Sequence, residues 1–276
     1  MDRIRVVLVS VFIIAGLLMS ERVHAGVPVN NLQGVGGIAF NPLAYPANAQ
    51  SDLYTCGQFS ISKPQVGSWY VQLHDADVRW SSTSAAITFF KRVEVSAAYE
   101  IINKKGPDIY KKDFGTKLLL LDENAFNTTF VPAVAVGGIW KKTSFDPKGV
   151  DDSGFDWYLV ATKLIKELPV PVLVSGGLLS SKEQVTGVFG FNKDRKETFF
   201  ANIDVIPLQQ LAIGFEYKDG ERYDDFKNAD YWQVHLAWFP TKQITGIVSY
   251  ANAGNNRSTS RVGLGDGFAL SLQYAF

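Results

Sequence analysis

The last ten residues, 267–276 (GFALSLQYAF), constrain the fold more than any other stretch. Phe268, Leu270, Leu272, Tyr274 and Phe276 are large and apolar, while Gly267, Ala269, Ser271, Gln273 and Ala275 are small or polar. A period of two describes a strand with one apolar and one bland face. Ten residues is also about the length of a tilted membrane-crossing strand. Such a strand cannot end in lipid with its backbone unpaired. It needs neighbours on both edges, and in a membrane that means a closed barrel.

The start of the chain reads as a targeting segment. Arg3 and Arg5 precede an unbroken apolar run over 6–19, followed by Val23-His24-Ala25 before Gly26. The run is too short to span a bilayer, so residues 1–25 are expected to be a cleaved signal peptide. Without Arg3, Arg5, Arg22, Asp2 and Glu21, twenty-four basic side chains face twenty-five acidic ones. That balance gives no electrostatic case for nucleic acid. Cys56 is the single cysteine. It has no partner in the chain and is expected to be a buried or lumenal thiol.

Residues 26–65 are poorly patterned and carry Pro42, Pro46 and Pro64. Three readings stay open for them: a lumenal plug, a periplasmic segment, or an irregular first strand. From Gly67 alternation becomes regular, with strands expected over 68–73, 78–90, 93–103, 116–121, 129–142, 157–166, 170–181, 198–206, 211–218, 231–239, 243–252 and the terminal segment. Residues 104–114 and 143–156 read as charged loops, and 185–196 is ambiguous. Short connections near 91–92, 167–169, 207–210 and 240–242 alternate with long polar ones, the layout of an outer-membrane barrel. A soluble sandwich is the rival, but its strands are shorter and solvated on one face. Trp69, Trp140, Trp157, Trp232, Trp238, Phe239 and Tyr250 sit near strand ends, as interfacial girdles require. The expectation is an all-β chain: a single closed antiparallel transmembrane β-barrel of about twelve strands over 66–276.

The terminal strand resembles the C-terminal signature of bacterial outer-membrane barrels, which implies recognition of Phe268, Leu270, Leu272, Tyr274 and Phe276 by the barrel assembly machinery. The stretches 90–100 (FKRVEVSAAYE), 149–166 (GVDDSGFDWYLVATKLIK), 174–191 (VSGGLLSSKEQVTGVFGF), 211–218 (LAIGFEYK) and 229–240 (ADYWQVHLAWFP) are similar to a proteobacterial, outer-membrane-like family of unknown function. The resemblance covers most of the chain after Gly67 and implies the barrel, the outer membrane of a Gram-negative bacterium, and lipids as surroundings. It brings no activity, ligand or catalytic residue.

The parity of the terminal strand, extended to its neighbours, assigns the interior. Val93, Val95, Ala97, Tyr99 and Ile101 share one face, which turns Glu94 and Glu100 to the other. The same rule points Asp204, Glu216, Gln233 and His235 inward, with Lys163 and Arg79 as further lumen candidates. These charges would either tune a solute pathway or fill a narrow lumen as a hydrogen-bonded network. Catalysis is not expected: only His74 and His235 lie beyond residue 25, and there is no G-x-S-x-G. Neither acidic run, Asp151/Asp152/Asp156 nor Glu221/Asp224/Asp225/Asp230, matches a calcium loop, so no metal or cofactor is expected and both read as solvated loops. The leading functional expectation is passive passage or transport of a small or apolar solute of unknown identity. The alternative is a structural or envelope-biogenesis barrel with a closed lumen, serving export of a surface polymer.

Overall fold

The computed structural model describes residues 29–145, 151–189, 191, 194–223, 227–254 and 263–276; the segment 1–25 lies outside them. A small hairpin, β1 (Asp52–Cys56) and β2 (Phe59–Ser62), precedes twelve longer strands. These are β3 (Gln65–Leu73), β4 (Val78–Phe89), β5 (Val93–Asn103), β6 (Ile109–Leu121), β7 (Ala133–Thr143), β8 (Ser153–Ile165), β9 (Val172–Ser181), β10 (Lys196–Leu208), β11 (Leu211–Lys218), β12 (Tyr231–Trp238), β13 (Ile244–Asn252) and β14 (Asp266–Ala275). Each pairs antiparallel with its sequence neighbours. β14 returns to β3 in continuous register from Gly267↔Leu73 to Ala275↔Gln65. That closure leaves β3 and β14 without a free edge and satisfies the ladder hydrogen bonds around the whole ring.

The alternation is sorted by the barrel wall. On β14, Phe268, Leu272, Tyr274 and Phe276 are exposed on the outer face while Ala269, Ser271 and Gln273 are buried inside. Outward aromatics pair across strands near one rim, for example Tyr99 with Tyr110, Phe114 with Trp140, Phe199 with Tyr217, and Trp232 with both Phe215 and Tyr250. The rim where β14 ends, the terminal rim, carries the short connections 90–92, 166–171, 209–210 and 239–243, with one longer connection at 122–132. The opposite rim carries the longer ones, 144–152, 182–195, 219–230 and 253–265, besides the short 74–77 and 104–108.

Several sequence expectations need correction. The charged stretch 104–114 is mostly strand: β6 starts at Ile109, with Tyr110, Lys112 and Phe114 outside and Lys111 and Asp113 buried. The alternation is there, but charges occupy both faces and conceal it. Asp156 is likewise in β8 and buried, not in a solvated loop. Arg79 is exposed, because the parity of β4 turns Val78 and Trp80 inward. Cys56 is exposed in the β1–β2 hairpin. Glu221 is fully buried, whereas Asp224 and Asp225 lie outside the described residues. The ambiguous stretch 185–196 opens with a 3-10 turn, Val185–Gly187, and joins β10 only at Lys196.

Inside the wall, Gly137 faces Tyr158 across β7 and β8. A Cβ at Gly137 would lie 2.2 Å from the Tyr158 ring and 2.6 Å from the Thr116 carbonyl oxygen. The ring is free to shift, but the backbone oxygen is not. Gly137→Ala is therefore expected to destabilise the barrel by about 1–3 kcal/mol. Gly176→Ala, whose Cβ would meet only Phe200 O at 3.7 Å, serves as the neutral comparison. The temperature at which the folded barrel loses its compact gel migration measures both; equal midpoints would refute the close-packing argument.

Candidate functional site, the barrel interior and its inner segment

Residues 29–49 occupy the barrel interior, held chiefly through their backbone. Such an irregular segment has amide groups that no ladder satisfies, so inward side chains must do so. Glu94 on β5 accepts from Gly36 N at 2.8 Å and Ala47 N at 2.7 Å. Glu216 on β11 accepts from Ala39 N, Phe40 N and Asn41 N at 3.2, 3.3 and 2.8 Å. It also accepts from Gln233 Nε2 at 2.6 Å. Thr162 Oγ1 accepts from Ala44 N at 2.8 Å. In return Lys117 donates to the Gly36 and Tyr45 carbonyls, Ser82 to that of Leu32, Thr88 to that of Ala47, and Trp69 Nε1 to that of Asn30. Val35, Ala44, Ile38 and Leu43 add apolar contacts with the wall.

A second set of contacts spans the wall toward the opposite rim. Lys111 bonds Glu100 at 2.9 Å and Asp113 at 2.6 Å. Lys141 lies 2.5 Å from both Asp156 and Glu183. Lys218 lies 3.9 Å from Glu183 and 3.6 Å from Glu221. Glu183 belongs to the connection after β9, so this loop folds inward and docks on lysines of β7 and β11. Thr186 and Val185, beside it, both have positive φ near 50°, an unfavourable backbone for β-branched residues. Burial pushes the Glu183 carboxyl up, yet Lys141, Lys218 and Lys111 lower it further, leaving it below the ordinary range. Its docking therefore contributes stability above the ordinary glutamate pKa and is lost only as pH falls through the depressed value.

Of the residues picked from parity, Glu94, Glu100, Asp204, Glu216 and His235 are buried on the inner side. Lys163, expected in the lumen, falls on the outer parity of β8, because Asp156, Tyr158, Val160, Thr162 and Leu164 take the inward positions, and it is covered by the connection after β6. The picked residues do not form one cluster. Glu94 pairs with Lys117 at 3.0 Å, and Glu100 with Lys111 and with Trp80 Nε1 at 2.7 Å. Asp204 meets His235 Nε2 at 2.8 Å. This pair reaches across the intervening β11 because Gly214 stands between them; a Cβ there would lie 2.3 Å from Asp204 Oδ1 and 2.4 Å from His235 Nε2. Lys163 sits apart at the terminal rim, with Glu123 at 3.3 Å and Asn124 as partners. Sequence reasoning missed Lys111, Asp113, Lys117, Lys141, Asp156, Glu183, Lys218 and Glu221. The alternation of β6 with its outward Phe114, Leu118 and Leu120 contained the signal for the first three. No local pattern marks Glu183 or Glu221, which lie between strands.

A family model described as "Protein of unknown function (DUF3034)" matches residues 27–272. The chain belongs to this family. No curated protein matches the sequence. Among solved structures, the KdgM porin superposes with a TM-score of 0.53 at 14% identity, over 77% of this chain and 99% of that one. The KdgM porin in complex with disordered oligogalacturonate gives 0.51 at 13% identity, over 77% and 99%. The NanC porin gives 0.51 at 8%, over 76% and 98%. At these identities the likeness is one of fold: the DUF3034 chain has the architecture of outer-membrane porins.

Proposed function

We propose that this chain is an outer-membrane channel closed by its own N-terminal region, with residues 26–65 as the plug unit and 66–276 as the barrel. In this reading the terminal rim faces the periplasm, the long connections face outward, and passage of a small solute is passive once the plug moves. The observation that carries it is the polar attachment of the inner segment. Five of its backbone N–H groups end on Glu94 and Glu216, and its carbonyls take Lys117, Ser82, Thr88 and Trp69. Such hydrogen bonds contribute about 0.5–1.5 kcal/mol net between neutral groups and about 1.5–3 kcal/mol where a charged group takes part, far less than their gross strength, because water replaces either partner. A wall built this way stays compatible with a water-filled lumen after the segment leaves, as an apolar wall would not.

The interior charge bears on the solute. Among the described residues, Glu94, Glu100, Asp113, Asp156, Glu183, Asp204, Glu216 and Glu221 are buried in the interior, against Lys111, Lys117, Lys141 and Lys218. Each of these lysines has a carboxylate partner. The buried lysines among the described residues therefore form no unpaired basic track for a polyanion such as oligogalacturonate, and that ligand is not carried over from the KdgM complex. A second reading, a closed structural barrel, draws on the same buried ion pairs.

Planar-bilayer recording separates the two. The full chain is expected to be closed most of the time. A variant with residues 30–47 replaced by a short Gly/Ser linker is expected to give steady single-channel currents. A linker variant that folds as a barrel yet passes no current would leave only the structural reading.

A further inference from the structure

Between the inner segment and the wall, near the opposite rim, lies a partly open cleft of about 70 Å³. Its main apolar surfaces are Leu32 and Phe40 from the inner segment, Trp69 and Leu73 from β3, Trp80 from β4 and Tyr231 from β12. Ala269 of β14 and Thr186 of the inward-folded connection also line it. The other apolar stretches of the inner wall, such as Ala135, Ile139, Val160 and Phe200, pack closely against the inner segment and one another; here the aromatic walls leave a gap. Its residues belong to the apolar cluster that spans this end of the barrel, yet they leave room unfilled. Among the described residues Lys218 is its one charged lining side chain, and Lys218 already faces Glu183 and Glu221.

We propose that this cleft binds a linear alkyl chain, as the outer docking point of the solute route. The proposal rests on the channel reading and narrows its solute to one with an alkyl portion. Shape selects the class. A closed apolar cavity of about 150 Å³ takes a benzene ring; this cleft is half that size and only partly enclosed. It therefore suits the leading end of a flexible chain whose remainder stays outside. The barrel wall excludes any macromolecular occupant. The ring faces of Trp69 and Trp80 supply contact area that water cannot use.

The test uses the full chain in lipid nanodiscs, labelled with 5-fluorotryptophan at its six tryptophans, and 1-octanol as the probe. The Trp69 and Trp80 resonances are expected to shift saturably. Those of the outward Trp140 and Trp157, exposed on the lipid side, should drift in proportion to the octanol dissolved in the bilayer. Ala269→Phe fills the cleft and is expected to abolish the saturable component. Leu32→Ala, on the inner segment and away from the ladder, should keep it with an altered limiting shift, which guards against a misfolded wall variant. Parallel, unsaturated drift of all six resonances, or saturation that survives Ala269→Phe, would overturn the site. The bilayer recording fails independently: saturable binding to a barrel that never conducts retires the channel and leaves the site, whereas conduction without saturable binding retires the site alone.

Discussion

Lys141→Ala is expected to cost the barrel about 3–5 kcal/mol, more than Gly137→Ala. Lys141 Nζ lies 2.5 Å from Asp156 and from Glu183, and all three side chains are at most 1% exposed. Its contact with Asp156 is an ion pair rather than a well-aligned hydrogen bond, since neither Asp156 oxygen has a hydrogen-bond partner. Asp156 therefore depends on the lysine charge, and truncation strands it without compensation. Glu183 retains Lys218 only at 3.9 Å, so the loop it anchors is expected to become a protease target as well. Unfolding in denaturant with the barrel in detergent micelles measures the first effect, and limited proteolysis of 182–189 the second. The double variant Lys141→Met/Asp156→Leu, which removes the pair instead of breaking it, should recover much of the loss. A Lys141→Ala barrel within about 1 kcal/mol of the parent would mean that the pair is hydrated and contributes little.

Glu216→Ala is expected to act on the inner segment and spare the wall. One carboxylate accepts from three consecutive amides, Ala39, Phe40 and Asn41, and from Gln233. Leaving a buried donor without an acceptor costs about 1–3 kcal/mol per group, though the terms do not add for one turn of chain. Amide exchange at 39–41 should accelerate by about 10–100-fold, while the amides of β9 and β10 stay protected. In the bilayer the same variant should spend a measurable fraction of time open. Glu216→Gln keeps one acceptor oxygen and should fall between variant and parent. Exchange at 39–41 unchanged in Glu216→Ala would show that Asn41, through its side-chain bonds to Ala201 O and Tyr217 O, and the apolar contacts of Ile38 and Leu43 hold the segment by themselves.

The two substitutions address the two closures that the structure stacks along the barrel axis. The inner segment is fixed by carboxylates reaching its backbone, and the connection after β9 by lysines reaching its glutamate. Both use charges from the wall, which accounts for the many buried ionisable groups beside the apolar clusters of the interior.

The sequence by itself determined the strands and the direction of most side chains. In a strand the period of two is set by local backbone geometry. The alternation in β14 therefore sufficed to place Glu94, Asp204, Glu216 and His235 on the side away from lipid, and closure followed because membrane-crossing edges must pair. Where both faces of a strand carry charge the local pattern is silent, and the first half of β6 reads as loop for that reason; the start of β8, Ser153–Asp156, has a single large apolar residue and so shows no alternation. What only the tertiary structure decided is everything set by contacts between elements distant in the chain. The path of residues 29–49 has no periodicity; it follows from where Glu94, Thr162 and Glu216 present acceptors to its amides. Glu183 looks like any loop glutamate until the fold brings Lys141 and Lys218 to it. The terminal strand shows the same division: its own residues specify which face meets lipid, but only the ring that it closes onto β3 determines what its inner face encloses.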